Sequence, residues 1–123
     1  MELIGPLQVK VMHHIWVKGP STVHDVHDAL MSNPVAKRLA YTTVLTVMRN
    51  LARRGFLAQT AEGRAHRFTA RVDEGTYKRQ LLRQVREEVF RGDLRALIDA
   101  VASDDTLTTA ERACLRGMIV AAG

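Results

Sequence analysis

The stretch that decides the fold of this 123-residue chain runs from Leu39 to Phe68 and reads LAYTTVLTVMRNLARRGFLAQTAEGRAHRF. Its first half places apolar residues at i, i+3, i+4 and i+7, which predicts a helix over about 41–54 with one buried face. That face consists of Val44, Val47, Met48 and Leu51. Gly55 ends the helix, and two β-capable runs follow around a turn at Glu62-Gly63. A helix followed by a short basic hairpin predicts a winged helix-turn-helix.

The opposite face of the predicted helix is polar and basic, and the helix contains no acidic residue. Short hydroxyls near a helix N-terminus can approach phosphates or base edges, and the helix dipole adds a partial positive charge there. Arginines further along the helix and in the hairpin can reach guanine edges or phosphates. We therefore predict a DNA-binding surface made of Thr42, Thr43, Thr46, Arg49, Asn50, Arg53, Arg64 and Arg67.

Two further helices are predicted before this stretch. The first opens at Gly5-Pro6, because proline is tolerated in the first turn of a helix. The second is capped by Thr22, with Asp25 three residues later, and runs to about Ser32. Leu39-Ala40 is too short for a substantial strand but is able to pair at the base of the hairpin.

Three amphipathic helices are predicted after Ala70. They cover about 73–90, a segment capped by Asp93, and a segment that opens with the capping box formed by Thr108 and Glu111. A helical segment this short rarely builds a sufficient core, so we expect a second copy of the chain to cover its apolar faces. The expected dimer interface is Leu81, Val85, Leu94, Leu97, Ile98, Val101, Leu115 and Met118.

The predicted fold is thus mainly α with a small antiparallel β-hairpin. A winged helix-turn-helix DNA-binding domain occupies residues 1–72, and a three-helix dimerisation domain occupies residues 73–123. The charge follows this division: residues 1–70 hold nine Lys/Arg against four Asp/Glu, whereas residues 71–123 hold nine of each. A basic domain suits nucleic acid, although charge alone equally fits a solvated surface or an anionic membrane.

Other classes of protein are disfavoured by composition. The apolar runs are too short to span a bilayer and the N-terminus lacks a signal-peptide pattern, so we expect a cytoplasmic protein. The single cysteine, Cys114, excludes an intramolecular disulfide and a Cys-rich metal site, and we expect it in a helix core. The motifs of catalytic nucleophiles and phosphate loops are missing, so we predict neither an enzyme nor a cofactor.

The chain resembles the BlaI/MecI penicillinase-repressor family of bacterial transcription factors. The resemblance spans nearly the whole sequence and is most specific in LAYTTV-x-T-V-x-x-x-L and in the G-R-A-H-R-F segment at the expected distance. It implies a homodimer with winged-helix heads that binds an inverted-repeat operator and represses transcription. On the same resemblance, the threonines and Arg49 fall in the recognition helix, and Arg64 and Arg67 fall in the wing.

Two features of the family are missing. Members that control β-lactam resistance are cut by a membrane sensor protease at an Asn-Phe bond, and the matching position here is Ala100-Val101. Release by such a protease is therefore in question. Copper-responsive relatives carry paired C-x-C motifs in their C-terminal tails, whereas this chain has Cys114 alone, so we expect no copper sensing through thiolates.

Two alternatives remain open at this point. His24 and His27 are spaced by three residues on a predicted helix and could hold a metal, although histidine pairs on solvated helices occur without one, and we predict no metal. The chain could also be a winged-helix protein-interaction or assembly module that does not read DNA.

Overall fold

The computed structural model describes residues 4–35 and 38–122. The chain forms two compact units, which divide between Leu81 and Leu82 inside one helix, α4 (Glu74–Gln84). Before α4, the elements of the first unit are α1 (Pro6–Lys18), β1 (Ser21–Thr22), α2 (Val23–Met31), α3 (Tyr41–Arg53), β2 (Leu57–Glu62) and β3 (Ala65–Ala70). This is the predicted winged helix-turn-helix.

Local sequence signals set the ends of these helices. Pro6 begins α1, and the backbone amide of Gly19 donates to the carbonyl of Ile15 at its end. At the start of α2, the amide of Asp25 donates to the Thr22 hydroxyl, and the amide of Thr22 donates to the Asp25 carboxylate. This reciprocal pair satisfies two donors that a helix start leaves free, as the sequence predicted.

The wing is part of a three-stranded antiparallel sheet in the order β1-β3-β2. Glu62 pairs with Ala65, so the hairpin turn is Gly63-Arg64, one residue later than predicted. The third strand was also predicted wrongly. Ser21 and Thr22 pair with β3, whereas Leu39-Ala40, which the sequence allowed to pair there, does not, because the backbone of Leu39 is bonded to α2 instead.

One hydrophobic core holds the first unit together. The predicted face of α3 is confirmed for Val44, Met48 and Leu51, which are fully buried, whereas Val47 is only partly buried against the core. They pack with residues from the other helices, the sheet and the bend before β2: Val11, Met12, Ile15, Val23, Val26, Phe56, Leu57 and Phe68. Tyr77 of α4 is also buried in this unit, with its ring 5.6 Å from that of Trp16 and 6.0 Å from that of Phe56.

The second unit contains a π-helical turn (Val85–Val89), α5 (Leu94–Ala102) and α6 (Thr109–Ala122). The predicted helix over 73–90 is therefore interrupted, since the amide of Phe90 donates to the carbonyl of Val85, five residues earlier. The predicted caps are present: Asp93 accepts from the amide of Ala96, and Thr108 and Glu111 bond reciprocally.

Side chains of the second unit remain open to solvent in a single copy. Among those that the structure describes in residues 82–121, none is buried. Cys114 is exposed, so its expected core position is wrong, because the faces of these helices are not covered within one chain. Within the described residues, no helix combines the length and apolar composition that crossing a bilayer requires.

Candidate nucleic-acid interface

Helix α3 presents the predicted polar face to solvent. Of the six predicted contact residues on α3, Asn50 is half-buried. The other five are exposed, namely Thr42, Thr43, Thr46, Arg49 and Arg53. The hydroxyl of Thr46 donates to the carbonyl of Thr42 at 2.9 Å, which leaves its oxygen free to accept. The fold therefore brings the predicted residues of α3 onto one accessible surface.

A cleft of about 290 Å³ separates α3 from the wing. Arg49 lines it from the helix side and Arg64 lines it from the hairpin side, so the structure brings these two predicted residues together. Residues that the sequence prediction did not include also line it, among them His24, Tyr41, Gln59 and His66. His66 lies two residues after Arg64, and side chains two residues apart in an extended strand lie on the same face. This spacing was the signal that could have placed His66 at the cleft.

Arg64 is exposed at the tip of the wing. It follows Gly63, whose φ of 62° is the left-handed conformation that a two-residue hairpin turn uses at its first central position. The tight turn places Arg64 beyond the last paired residues of the strands, where its exposed side chain can meet a phosphate.

Arg67 has a different environment. Its Nε lies 2.6 Å from a carboxylate oxygen of Glu62, and its Nη1 donates to the carbonyl of Pro20 at 3.2 Å. The guanidinium thus joins β3 to β2 and to the segment before β1. DNA contact by Arg67 stays a prediction, and any such contact competes with these two partners.

Three exposed carboxylates on α2 and in the wing have hydrogen-bonding or charged neighbours. The backbone amide and then the hydroxyl of Thr22 keep the pKa of the Asp25 carboxyl below its ordinary value of 3.8. Asp28 lies 3.9 Å from the imidazole of His24, and Glu62 pairs with Arg67. Of the three, Glu62 pairs with a permanent cation, which reduces the repulsion that its charge would exert on a phosphate backbone.

The histidines of α2 do not come together as ligands. His27 bonds to a backbone carbonyl through Nε2, whereas His24 faces Asp28. In the part of the chain that the structure describes, no three His, Cys, Asp or Glu side chains form a group that could hold a metal ion.

The residues predicted for the dimer interface lie on the second unit, apart from Leu81, which ends the first. Three of them are exposed, namely Leu94, Val101 and Met118. The others, Leu81, Val85, Leu97, Ile98 and Leu115, are half-buried.

Comparison with known proteins identifies relatives of this chain. A family described as penicillinase repressor matches residues 4–121. Two proteins named transcriptional regulator BlaI, from Mycobacterium tuberculosis strains CDC 1551/Oshkosh and ATCC 25618/H37Rv, are 42% identical to the chain over 66 residues. Each alignment covers 53% of this chain and 46% of the relative, so the match spans about half the length of those curated proteins.

Two solved structures share the fold of the first unit. The solution structure of the DNA-binding domain of the repressor BlaI superposes with a TM-score of 0.52 at 26% identity, over 60% of this chain and 87% of that one. Monomeric Bacillus licheniformis BlaI in complex with the blaP half-operator gives a TM-score of 0.51 at 25% identity, over 62% and 89%.

Proposed function

The chain belongs to the penicillinase repressor family, and on that premise we propose that it is a sequence-specific DNA-binding transcriptional repressor that binds an inverted-repeat operator as a homodimer. The family is one of transcriptional regulators and not of enzymes. Because its partner is operator DNA, the protein works in the bacterial cytoplasm.

One observation carries the proposal: the solvent-facing side of α3 offers hydroxyls at its start and arginines further along, with no acidic residue on the helix. A helix of this kind fits the major groove, where arginine can donate two hydrogen bonds to a guanine. The cleft beside α3 holds Arg49 and Arg64 on its two walls, which allows the helix to read bases while the wing contacts the backbone.

The homodimer is supported by the apolar side chains of the second unit. Leu94, Val101 and Met118 are about half exposed or more, at 53%, 47% and 63%. Apolar surface of this kind gains roughly 25 cal/mol for each Å² removed from water. A second copy supplies a matching surface, and two-fold symmetry then requires an inverted-repeat operator.

Release by a sensor protease is not part of the function we propose. A protease that cuts between Asn and Phe finds Ala100 and Val101 at the matching position, in helix α5. The inducing signal therefore has to act on a different feature, or the protease has to have a different specificity.

The experiment is a titration of the full chain with a duplex selected by repeated binding from a random pool, and with a scrambled duplex of the same composition. We expect the selected duplex to bind more tightly, with affinity that falls steeply as salt rises, because phosphate neutralisation releases counterions. Arg49→Ala should weaken binding to the selected duplex by about 1–3 kcal/mol if Arg49 contacts a base.

Arg95→Ala is the matched control, because Arg95 is an exposed arginine of the second unit and should leave both titrations unchanged. A protein-interaction module would select no duplex from the pool. Unchanged binding of Arg49→Ala to both duplexes would remove Arg49 from the interface.

A further inference from the structure

The recognition helix α3 begins without a capping side chain of its own. Its N-cap residue is Ala40, whose side chain has no oxygen to accept from the first turn. The carbonyl of Ala40 accepts from the amides of Thr43 and Val44 at 3.1 and 3.3 Å, so the bonds at this start come from the backbone and not from a capping side chain.

Helix α2 holds the residue just before this start from both sides. Nε2 of His27 lies 2.8 Å from the carbonyl oxygen of Leu39, and the amide of Leu39 donates to the sulfur of Met31 at 3.4 Å. His27 and Met31 are four residues apart, so they lie on the same face of α2. Both backbone groups of Leu39 are therefore bonded to one stripe of the preceding helix.

The His27 ring also meets the first residue of the recognition helix. It lies edge-on to the ring of Tyr41, with centroids 5.9 Å apart and planes at 72°, an arrangement that aromatic pairs favour. Tyr41 is 47% exposed and lines the cleft beside Arg49 and Arg64. His27 itself is half-buried and does not line that cleft.

We propose that His27 is a positioning residue for DNA reading: it holds the Leu39 carbonyl and the Tyr41 ring, and so fixes the orientation of the first turn of α3. The inference rests on the function proposed above. It assigns His27 no contact with DNA, because its effect passes through Tyr41 and the threonines that follow. A displacement of about 1 Å in the first turn is enough to break a bidentate contact to a base edge.

The chemistry of the bond makes a specific demand on the imidazole. A carbonyl oxygen only accepts, so Nε2 of His27 has to carry a proton. The neutral ring is therefore the Nε2–H tautomer, and a second proton at Nδ1 leaves the bond to Leu39 intact.

The test uses the full chain and has two readouts that involve no DNA. Nitrogen NMR of the imidazole at about pH 8, where a free imidazole is neutral, should show the proton of His27 on Nε2. In His27→Ala, the amides of Thr43 and Val44 should exchange with solvent roughly threefold to tenfold faster, because one hydrogen bond at the helix start is gone.

The third readout is binding to the selected and scrambled duplexes. His27→Ala should lose roughly threefold to tenfold in affinity for the selected duplex and little for the scrambled one. His27→Gln should recover part of the loss, because its amide nitrogen can donate to Leu39. His14→Ala removes a half-buried imidazole from α1 and should change none of these measurements.

Three results would overturn the inference: an Nδ1–H tautomer, unchanged exchange in His27→Ala, or an equal loss of affinity on both duplexes. If His27→Ala does not fold, His27→Gln and Met31→Leu test the same attachment at its two ends. A wild-type protein that binds both duplexes alike would contradict the proposed function itself, and that result appears before any substitution is made.

Discussion

The two units of the chain bury their apolar residues to very different extents. In the first unit, the large side chains of Phe68, Met12 and Met48 are fully enclosed. In the second, Met118 is 63% exposed and Val120 is 78% exposed, although both lie in a regular helix. Helix formation is therefore not what separates the two units.

The difference concerns what each unit can do alone. The first unit closes its helix faces against one another and against a sheet, so its core does not depend on a second molecule. The second unit has capped helices but leaves its apolar stripes open, and short helices gain most of their stability from packing. Its exposed apolar side chains therefore support the proposed association with a second copy.

Two substitutions that shorten a side chain test this contrast, and they have the largest expected effect. Phe68→Ala should lower the free energy of unfolding by about 3–5 kcal/mol, because it leaves a cavity in the core. Met118→Ala should change the stability of the first unit, the winged-helix head, by less than about 0.5 kcal/mol and should weaken self-association instead. Urea unfolding followed by the fluorescence of Trp16, the single tryptophan, reports on the first unit. Equal losses in the two variants would contradict the division of roles.

The sequence predicted the first unit better than the second. The stripe of α3 has the helical period over two turns, so its burial could be read directly, and the hairpin followed from Gly63 between two β-capable runs. Strand β1 was missed because two residues have no periodicity. The helical period also placed Tyr77 on the apolar face of its helix. It did not reveal the ring partners of Tyr77, which are Trp16 and Phe56 from distant parts of the chain.

Side-chain pairing was the other feature that the sequence could not provide. Arg64 and Arg67 look equivalent in the hairpin, yet only the fold places Glu62 and the Pro20 carbonyl next to Arg67. The same holds for His27, whose spacing from His24 suggested a metal pair, while its actual partner is the backbone of Leu39. Such partners depend on the register of the strands and on the path of a loop.

A smaller effect separates these two arginines. Arg64→Ala should lower DNA affinity and reduce the salt slope by about one, with no loss of head stability. Arg67→Ala should lower head stability by about 1 kcal/mol or less, since it removes an exposed ion pair and a bond to Pro20. Titrations at several salt concentrations and unfolding curves measure the two effects. Arg116→Ala in the second unit is the control, and a matching fall in its salt slope would contradict an interface confined to the head.

The smallest expected effect concerns the capping boxes that occur in both units. Because the folded pKa of Asp25 lies below its ordinary 3.8, the unfolded chain takes up its proton first as pH falls. The stability that Asp25 contributes is therefore present above about pH 4 and is lost as pH falls through the folded pKa.

Asp25→Ala should cost the head less than about 1 kcal/mol at neutral pH, and the difference from wild type should shrink in acid. Trp16 fluorescence in urea at a series of pH values provides the measurement. Glu111→Ala removes the corresponding carboxylate of the second unit and should leave the Trp16 transition unchanged. A difference for Asp25→Ala that grew in acid would contradict the assigned direction.

The most direct test of the account compares an inverted repeat with a single half-site, for the wild-type chain and for a variant with Leu97→Asp and Ile98→Asp. The two charges fall in the expected apolar contact and should dissociate the dimer. As a control, Arg95→Asp introduces an aspartate on the polar face of α5. We expect the wild type to sediment as a dimer and to bind the inverted repeat roughly 10²–10⁴-fold more tightly than the half-site, because the second contact becomes intramolecular. The double variant should sediment as a monomer with its head folded and bind both duplexes at the half-site level. A wild-type chain that sediments as a monomer at micromolar concentration, yet binds the inverted repeat tightly as a monomer, would contradict the account.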